Sequence, residues 1–384
     1  MGVRFVGLRV WEVRIPFRFS YVHALADRRE AASLLLAVTT DTGQTGWGEA
    51  VPRTYLTGET LHTARTDLTN LWWPAVREID VDRYDDLLAR LEPVYARADE
   101  AGRTAGYAGL ELACVDAVGR VLGRPARAAV PASMREADAR QSRFVYTGPV
   151  GGGTLARAVR YARGFRWLGY REVKLKLGGP DDVERVRAVR AALGPRVDLR
   201  VDVNGAWDVA TALARAEALR AAEISSVEQP VAASDLHGLA RVRRESGVPV
   251  MADESLCTRA HARALVQAGA CDLFNVRLAK GGGYSGALAM LRAAREAGLA
   301  CQLGALVGET AVLDAAAEEF LAAVGPQRHH ETSFPRVLLR SSPARGARLP
   351  RLGGRLSVRP ARPGFGVRVD ERALARVAQG HWTA

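Results

Sequence analysis

The sequence predicts an α/β fold built around a parallel (β/α) barrel, and three observations predict it. From about Phe144 onward, short β-like runs alternate with helix-length segments. Polar residues close five consecutive runs at positions 176, 202, 228, 253 and 280, intervals of 25 to 27 residues, about the length of one βα unit. The flanking segments differ in texture: strand alternation and then helical periodicity before the repeat, and a Gly- and Pro-rich return after it. At 384 residues, the chain has room for one barrel of roughly 250 residues and a second domain. The boundaries read as an N-terminal domain over 1–128, a barrel over 129–344 and a segment over 345–384 that folds back onto the N-terminal domain.

Taken in order, residues 1–50 read as a β-meander, with "SLLLAVTTDTGQTGWGEA" giving two runs joined by the turn "TDTGQTG". Residues 58–123 carry apolar positions at three- and four-residue spacing, as in "GLELACVDAVGRVLG", and read as helices. The barrel strands are "FVYTGPV", "EVKLKLG", "LRVDVNG", "ISSVEQP", "VPVMADE", "LFNVRLAK", "LACQLGA" and "HHETSF". Segments such as "ATALARAEALRAAE" supply the helical crossovers, which parallel strands require. The last portion, "RLGGRLSVRPARPGFGVRVDERALARVA", shows turn chemistry and then a short helix.

Composition excludes several function classes. An apolar fraction of 48% and a charged fraction of 25% are those of a soluble globular protein. No apolar run approaches the roughly 20 residues that span a bilayer, and the N-terminus lacks the apolar block of a signal peptide. The four cysteines form no CxxC pair and no metal-ligand spacing, which suits buried thiols in a reducing cytoplasm. The net charge is +12, but the arginines are dispersed among acidic residues, as in "DDVERVRAVRAAL", with no nucleic-acid-binding motif. The expectation is a cytoplasmic homo-oligomer with a small-molecule partner and neither nucleic acid nor membrane.

Lysine occurs at only three places among 54 basic residues: Lys174, Lys176 and Lys280. Arginine stays charged at any cellular pH, whereas lysine can release its proton when buried or beside another cation. The three lysines are therefore candidate proton-transfer groups. Strand alternation puts Lys174 and Lys176 on one face with Leu175 and Leu177 opposite, and Asp202 and Asn204 on one face with Val201 and Val203 opposite. Barrel catalytic groups gather at the C-terminal strand ends. Asp202, Glu228 and Asp253 bring three carboxylates to adjacent strand ends, a hard-oxygen set suited to Mg²⁺, with Mn²⁺ as an alternative.

With "KLK", "DVNGAW", "EQP", "ADES" and the lysine of "NVRLAKGGG", the chain resembles the enolase superfamily along essentially its whole length, in the branch of muconate-lactonizing enzyme. The resemblance implies a (β/α)7β-type modified TIM barrel, with an α+β capping domain formed by the N-terminal part and the C-terminal return. It implies Mg²⁺ on Asp202, Glu228 and Asp253, Lys176 and Lys280 on opposite faces of the substrate, and Lys174 assisting Lys176. It also implies the superfamily's established pairing of a lysine base with Mg²⁺ and an enediolate. "FRFSYVHALAD" and "VPRTYLTGET" match the family's two mobile loops, making Tyr21, His23, Arg53 and Tyr55 candidate substrate contacts. Asn204, Glu309 and Glu331 are further candidates on the barrel side, although Glu309 equally suits a first helical turn and Glu331 a surface position.

The sixth and seventh strands end without a histidine, which disfavours the acid-sugar dehydratase and mandelate racemase branch. Two opposed lysines suit a 1,1-proton transfer, so the expected reaction is racemisation or epimerisation of an N-acyl amino acid or dipeptide. Muconate-type cycloisomerisation and dehydration to o-succinylbenzoate use the same scaffold and remain open, and a silent barrel used for binding is the non-enzymatic alternative. Dipeptide epimerases of the family carry Asp-x-Asp after the eighth strand, where this chain has "HHETSF". "VGGG" and "AKGGG" leave phosphate-binding motifs incomplete.

Overall fold

Alternation in "VRFVGLRVWEVRIPF" builds a long first strand, β1 (Val3–His23), which pairs antiparallel with β2 (Ala26–Thr40). β2 in turn pairs with β3 (Thr45–Ala50). The structure, a computed structural model, describes residues 2–23, 26–136 and 143–384, and for residues 20–23, 26 and 27 the backbone alone. The outer edge of β1 is taken by the C-terminal strand Ala378–Thr383, with Val10 opposite Trp382. A short strand, β4 (Asp80–Val81), pairs with the start of β1.

Both faces of this sheet are covered. Leu8, Val10, Leu34 and Leu36 pack into the main core, against the buried helix Thr104–Val121. That helix approaches β3 closely because the sequence is "TGWG": a Cβ on Gly46 would lie 2.1 Å from the Ala117 nitrogen, and one on Gly48 1.9 Å from the Gly109 oxygen. The other face, with Trp11 and Trp47 stacked at 5.5 Å, is covered by the C-terminal return and the first turn of helix Ala311–Val324.

The barrel follows β5 (Arg143–Val145), which pairs with the segment Arg355–Ser357. Its parallel strands are β6 (Gly148–Val150), β7 (Glu172–Lys176), β8 (Asp198–Asp202), β9 (Val227–Glu228), β10 (Val250–Ala252), β11 (Leu273–Val276), β12 (Ala300–Leu303) and β13 (His329–His330), neighbours in that order. A parallel bridge between Tyr146 and His330, and the bond from Thr147 N–H to the His330 carbonyl at 2.9 Å, close the ring. Leu175, Val201 and Val203 face the surrounding helices in the apolar core.

One expectation needs correction. "LFNVRLAK" is not strand throughout: β11 stops at Val276, and Lys280 rides on a one-turn helix, Leu278–Gly281. Gly282 ends that turn at φ 94°, in the left-handed region open to glycine. The glycines of "AKGGG" are packing residues: a Cβ on Gly281 would lie 3.2 Å from the Met290 methyl, one on Gly282 would strike Tyr95, and one on Gly283 the Glu111 carboxylate. The short helix read near the end of the chain is present as Glu371–Val377, and "AQGHWT" adds a final strand after it. Among the described residues no helix is long and apolar enough to cross a membrane.

Candidate active site

The five strand-end positions converge. Asp202 and Glu228 are direct partners across β8 and β9, and Lys176 is the register partner of Asp202 across β7 and β8. Lys176 Nζ lies 2.7 Å from Asp202 Oδ2 and donates to Asn204 Oδ1 at 2.8 Å. Asn204 sits in the left-handed region at φ 51°, which asparagine tolerates better than most residues. Its Nδ2 donates to Glu254 Oε1 at 2.8 Å. Lys174 Nζ contacts Glu331 Oε1 at 2.6 Å, Asp202 Oδ2 at 3.1 Å and Glu228 Oε2 at 3.3 Å. Across the barrel, Lys280 Nζ lies 2.7 Å from Asp253 Oδ1 and also donates to the Asp253 carbonyl.

Three residues that sequence reasoning passed over complete the network. Arg277 Nη2 bridges Asp253 Oδ2 at 2.6 Å and Glu228 Oε1 at 3.3 Å. Asn275 Nδ2 donates to the same Glu228 oxygen at 2.7 Å. Arg200, 1% exposed, holds Glu331 Oε1 at 2.8 Å and donates to Thr147 Oγ1 at 2.9 Å. The signal was period-2 alternation: Asn275 and Arg277 flank Val276, and Arg200 precedes Asp202 by two, so each points to the barrel interior.

Burial raises the Asp202 pKa, but Lys176 and Lys174 outweigh it and hold the carboxyl well below the usual range. Burial lowers Lys174, yet Glu228, Glu331 and Asp202 together push it above its ordinary value. Glu228 is pushed up by burial and by neighbouring Asp202, against the pull of Lys174. Glu331, which burial alone would raise, is brought to about 2 by Lys174 and Arg200.

Asp202, Glu228 and Asp253 offer carboxylate oxygens on adjacent strands, and Asp202 Oδ1 is buried with no hydrogen-bond partner. That donor chemistry fits a hard divalent cation. Among the described residues no three such side chains already surround one point as a metal cage, because each carboxylate is turned toward a lysine or Arg277.

The remaining candidates divide. Glu331 joins Lys174 and Lys176 in lining a cavity of about 450 Å³ that also reaches Arg277. Arg53 is 6% exposed, and its Nη1 donates to the carbonyls of Ala32 at 2.9 Å and Pro52 at 2.8 Å. Glu309 is buried away from that cavity, its Oε1 accepting the Leu306 N–H at 2.6 Å. Arg53 is thus bonded within the N-terminal domain and Glu309 within the loop after the seventh barrel strand. Tyr55 is half-buried and accepts a bond from Arg28 Nη2 at 3.3 Å. The side chains of Tyr21 and His23 lie outside the described residues.

The family model of the enolase C-terminal domain-like fold matches residues 155–373. The N-succinyl-L-Arg/Lys racemase of Bacillus cereus is 28% identical over 315 residues, 79% of this chain and 80% of that protein. Its crystal structure superposes with a TM-score of 0.87 at 24% identity, covering 99% of this chain and 100% of that one. The muconate lactonizing enzyme of Pseudomonas fluorescens, solved with muconolactone, gives a TM-score of 0.86 at 25% identity, over 98% of this chain and 99% of that one. The dipeptide epimerase of Enterococcus faecalis, solved with Mg and the dipeptide L-Leu-L-Tyr, gives 0.83 at 26% identity, over 96% and 99%. The chain belongs to the enolase superfamily, in the muconate-lactonizing-enzyme subgroup.

Proposed function

We propose that this protein is a Mg²⁺-dependent racemase or epimerase, removing and returning the α-proton of an N-acyl amino acid or dipeptide. The observation that carries the reading is the pair of lysines belonging to the second and sixth strand units, each bonded to one of the three strand-end carboxylates. Asp202, Glu228 and Asp253 are the proposed ligands, supported by their donor chemistry and by the Mg in the Enterococcus faecalis complex. When bound, Mg²⁺ supplies positive charge against the negative charge developing on the substrate carboxylate.

The chain's own residues do the rest. Lys176 and Lys280 lie across the barrel, so a substrate carbon between them presents one face to each. Asn204 fixes the direction of the Lys176 amine. Lys174, held by Glu228, Glu331 and Asp202, keeps a positive charge, and it shares the Asp202 Oδ2 atom with Lys176. Glu331 and Asn204 are the proposed barrel-side contacts, and Tyr55, Tyr21 and His23 the proposed cap-side ones. The four cysteines, all buried and unpaired, support a cytoplasmic setting.

The test is wash-in of deuterium at the α-carbon, followed by NMR over a library of N-acyl amino acids, dipeptides and lactones. Exchange that needs Mg²⁺ and yields both configurations is the expected result. The likeness to muconate lactonizing enzyme favours one second reading, cycloisomerisation, which would give lactone turnover without exchange at an amino-acid α-carbon.

A further inference from the structure

The cavity that begins at Lys174 and Lys176 has a wall of mostly apolar side chains, among them Phe165, Leu168, Tyr170 and Phe334. Its volume, about 450 Å³, falls in the range of roughly 300–1,000 Å³ that takes a small organic ligand. Its mouth is also where exposed apolar groups gather. Nine large apolar residues stand out as exposed among the described residues, and four of them, Phe19, Tyr161, Val337 and Leu349, line this opening. Scattered surface apolar residues need no explanation, but convergence on one opening marks a ligand contact.

Charge in the cavity narrows the ligand. Among the described lining residues the acidic side chain is Glu331, and it is held by Lys174 at 2.6 Å and Arg200 at 2.8 Å. A substrate ammonium entering here meets no uncommitted carboxylate, and burying such a charge unpaired is costly. An amide nitrogen carries no charge and avoids that cost.

Phe334 adds an independent sign. Its backbone sits at φ 50° and ψ 51°, a conformation that a bulky side chain rarely adopts. The residue is followed by Pro335, and its N–H donates to Thr332 Oγ1 at 3.2 Å, so the turn is held from both sides. Glycine or asparagine would meet the backbone requirement at less strain. Strain of this kind collects at functional sites, and here it accompanies an aromatic ring on the cavity wall.

Resting on the enediolate reading above, we infer that the enzyme acts on N-acyl α-amino acids carrying a large apolar group, and that Phe334 is the residue that selects them. The α-carboxylate and α-carbon lie at the lysine end, the uncharged amide passes Glu331, and the apolar group fills the space against Phe334, Phe165 and Leu168.

The experiment follows α-proton exchange by the full chain in D₂O and Mg²⁺ with three probes: N-acetyl-phenylalanine, N-acetyl-alanine and the unprotected dipeptide Ala-Phe. An apolar pocket separates such groups by roughly 10- to 200-fold, so kcat/KM for N-acetyl-phenylalanine should exceed that for N-acetyl-alanine by that factor. The unprotected dipeptide should be slower than N-acetyl-phenylalanine by at least tenfold. Phe334→Asn, which keeps a residue tolerant of the left-handed backbone, should cut the phenylalanine-to-alanine ratio about tenfold, through KM. A merely structural Phe334 would instead lower kcat for both probes by the same factor. Val337→Ser, at the exposed mouth, should lower the same ratio and serves if the first variant does not fold. Equal or faster exchange with N-acetyl-alanine or the free dipeptide overturns this inference and leaves the enediolate reading standing. Exchange found only with other carboxylates does the same, and no exchange with any carboxylate overturns both.

Discussion

Thr104 Oγ1 donates to the carbonyl of Lys280 at 2.6 Å, so a helix of the cap holds the one-turn helix on which a proposed catalytic lysine rides. Glu111, farther along the same cap helix, accepts the Ser285 N–H at 3.0 Å and anchors the next turn. The cap therefore does more than cover the barrel: it holds the backbone turn that carries one of the two amines.

Thr104→Val should leave the Lys280 carbonyl buried without its donor, at a cost of about 1–3 kcal/mol, read as a lowered midpoint in chemical denaturation. It should also slow exchange from the enantiomer served by Lys280 more than from the other. Equal slowing of both would reduce the bond to a structural one.

Asp253→Asn removes one of three carboxylate charges and leaves Arg277 and Lys280 short of their partner. Mg²⁺ affinity by titration calorimetry should fall by at least about tenfold, and turnover should fall with it. Undiminished exchange in excess chelator would sink the metal assignment.

His330 closes the barrel in its neutral form. Its Nε2 accepts the Gln327 N–H at 2.8 Å, so the proton belongs on Nδ1, facing the Val145 carbonyl at 3.2 Å. Burial lowers its pKa from 6.5 to about 4. The neutral ring thus stabilises the fold fully above pH 6.5, and that contribution is lost as pH falls through about 4. The loss amounts to about 3 kcal/mol. Relative to His330→Gln, the wild-type protein should lose that much more stability between pH 7 and pH 4 in urea titrations. Parallel curves would show that the ring is not the acid-sensitive group.

The barrel was legible because its strands alternate strictly. Leu175 and Val201 go to the core while Lys174, Lys176 and Asp202 go to the mouth, so the spacing of polar residues reported the repeat. The turn carrying Lys280 was not legible, because "NVRLAK" satisfies strand alternation as far as Arg277 and only the left-handed Gly282 and contacts from the cap show the chain coiling. The final strand was hidden for a related reason: "AQGHWT" has weak β character and is ordered by pairing with β1. Arg277 and Arg200 escaped notice because 51 arginines make any one of them ordinary in sequence. Only their burial among carboxylates, visible in three dimensions, sets them apart. Arg53 looked like a loop contact by position, yet it is clamped to the carbonyls of Ala32 and Pro52.

The measurement that bears most directly on the two-lysine account is enantiomer-resolved α-proton exchange in D₂O by the Lys176 and Lys280 variants. Lys280→Ala should abolish exchange from one enantiomer while retaining exchange from the other, and Lys176→Ala should do the reverse. A positioned base contributes about 10²- to 10⁴-fold, so the asymmetry will be large. Lys176→Arg and Lys280→Arg should be nearly as damaging as the alanine variants, since arginine keeps the charge but does not release its proton. Normal exchange by the arginine variants, or equal loss from both enantiomers in each alanine variant, would contradict the assignment of the two lysines as opposed bases.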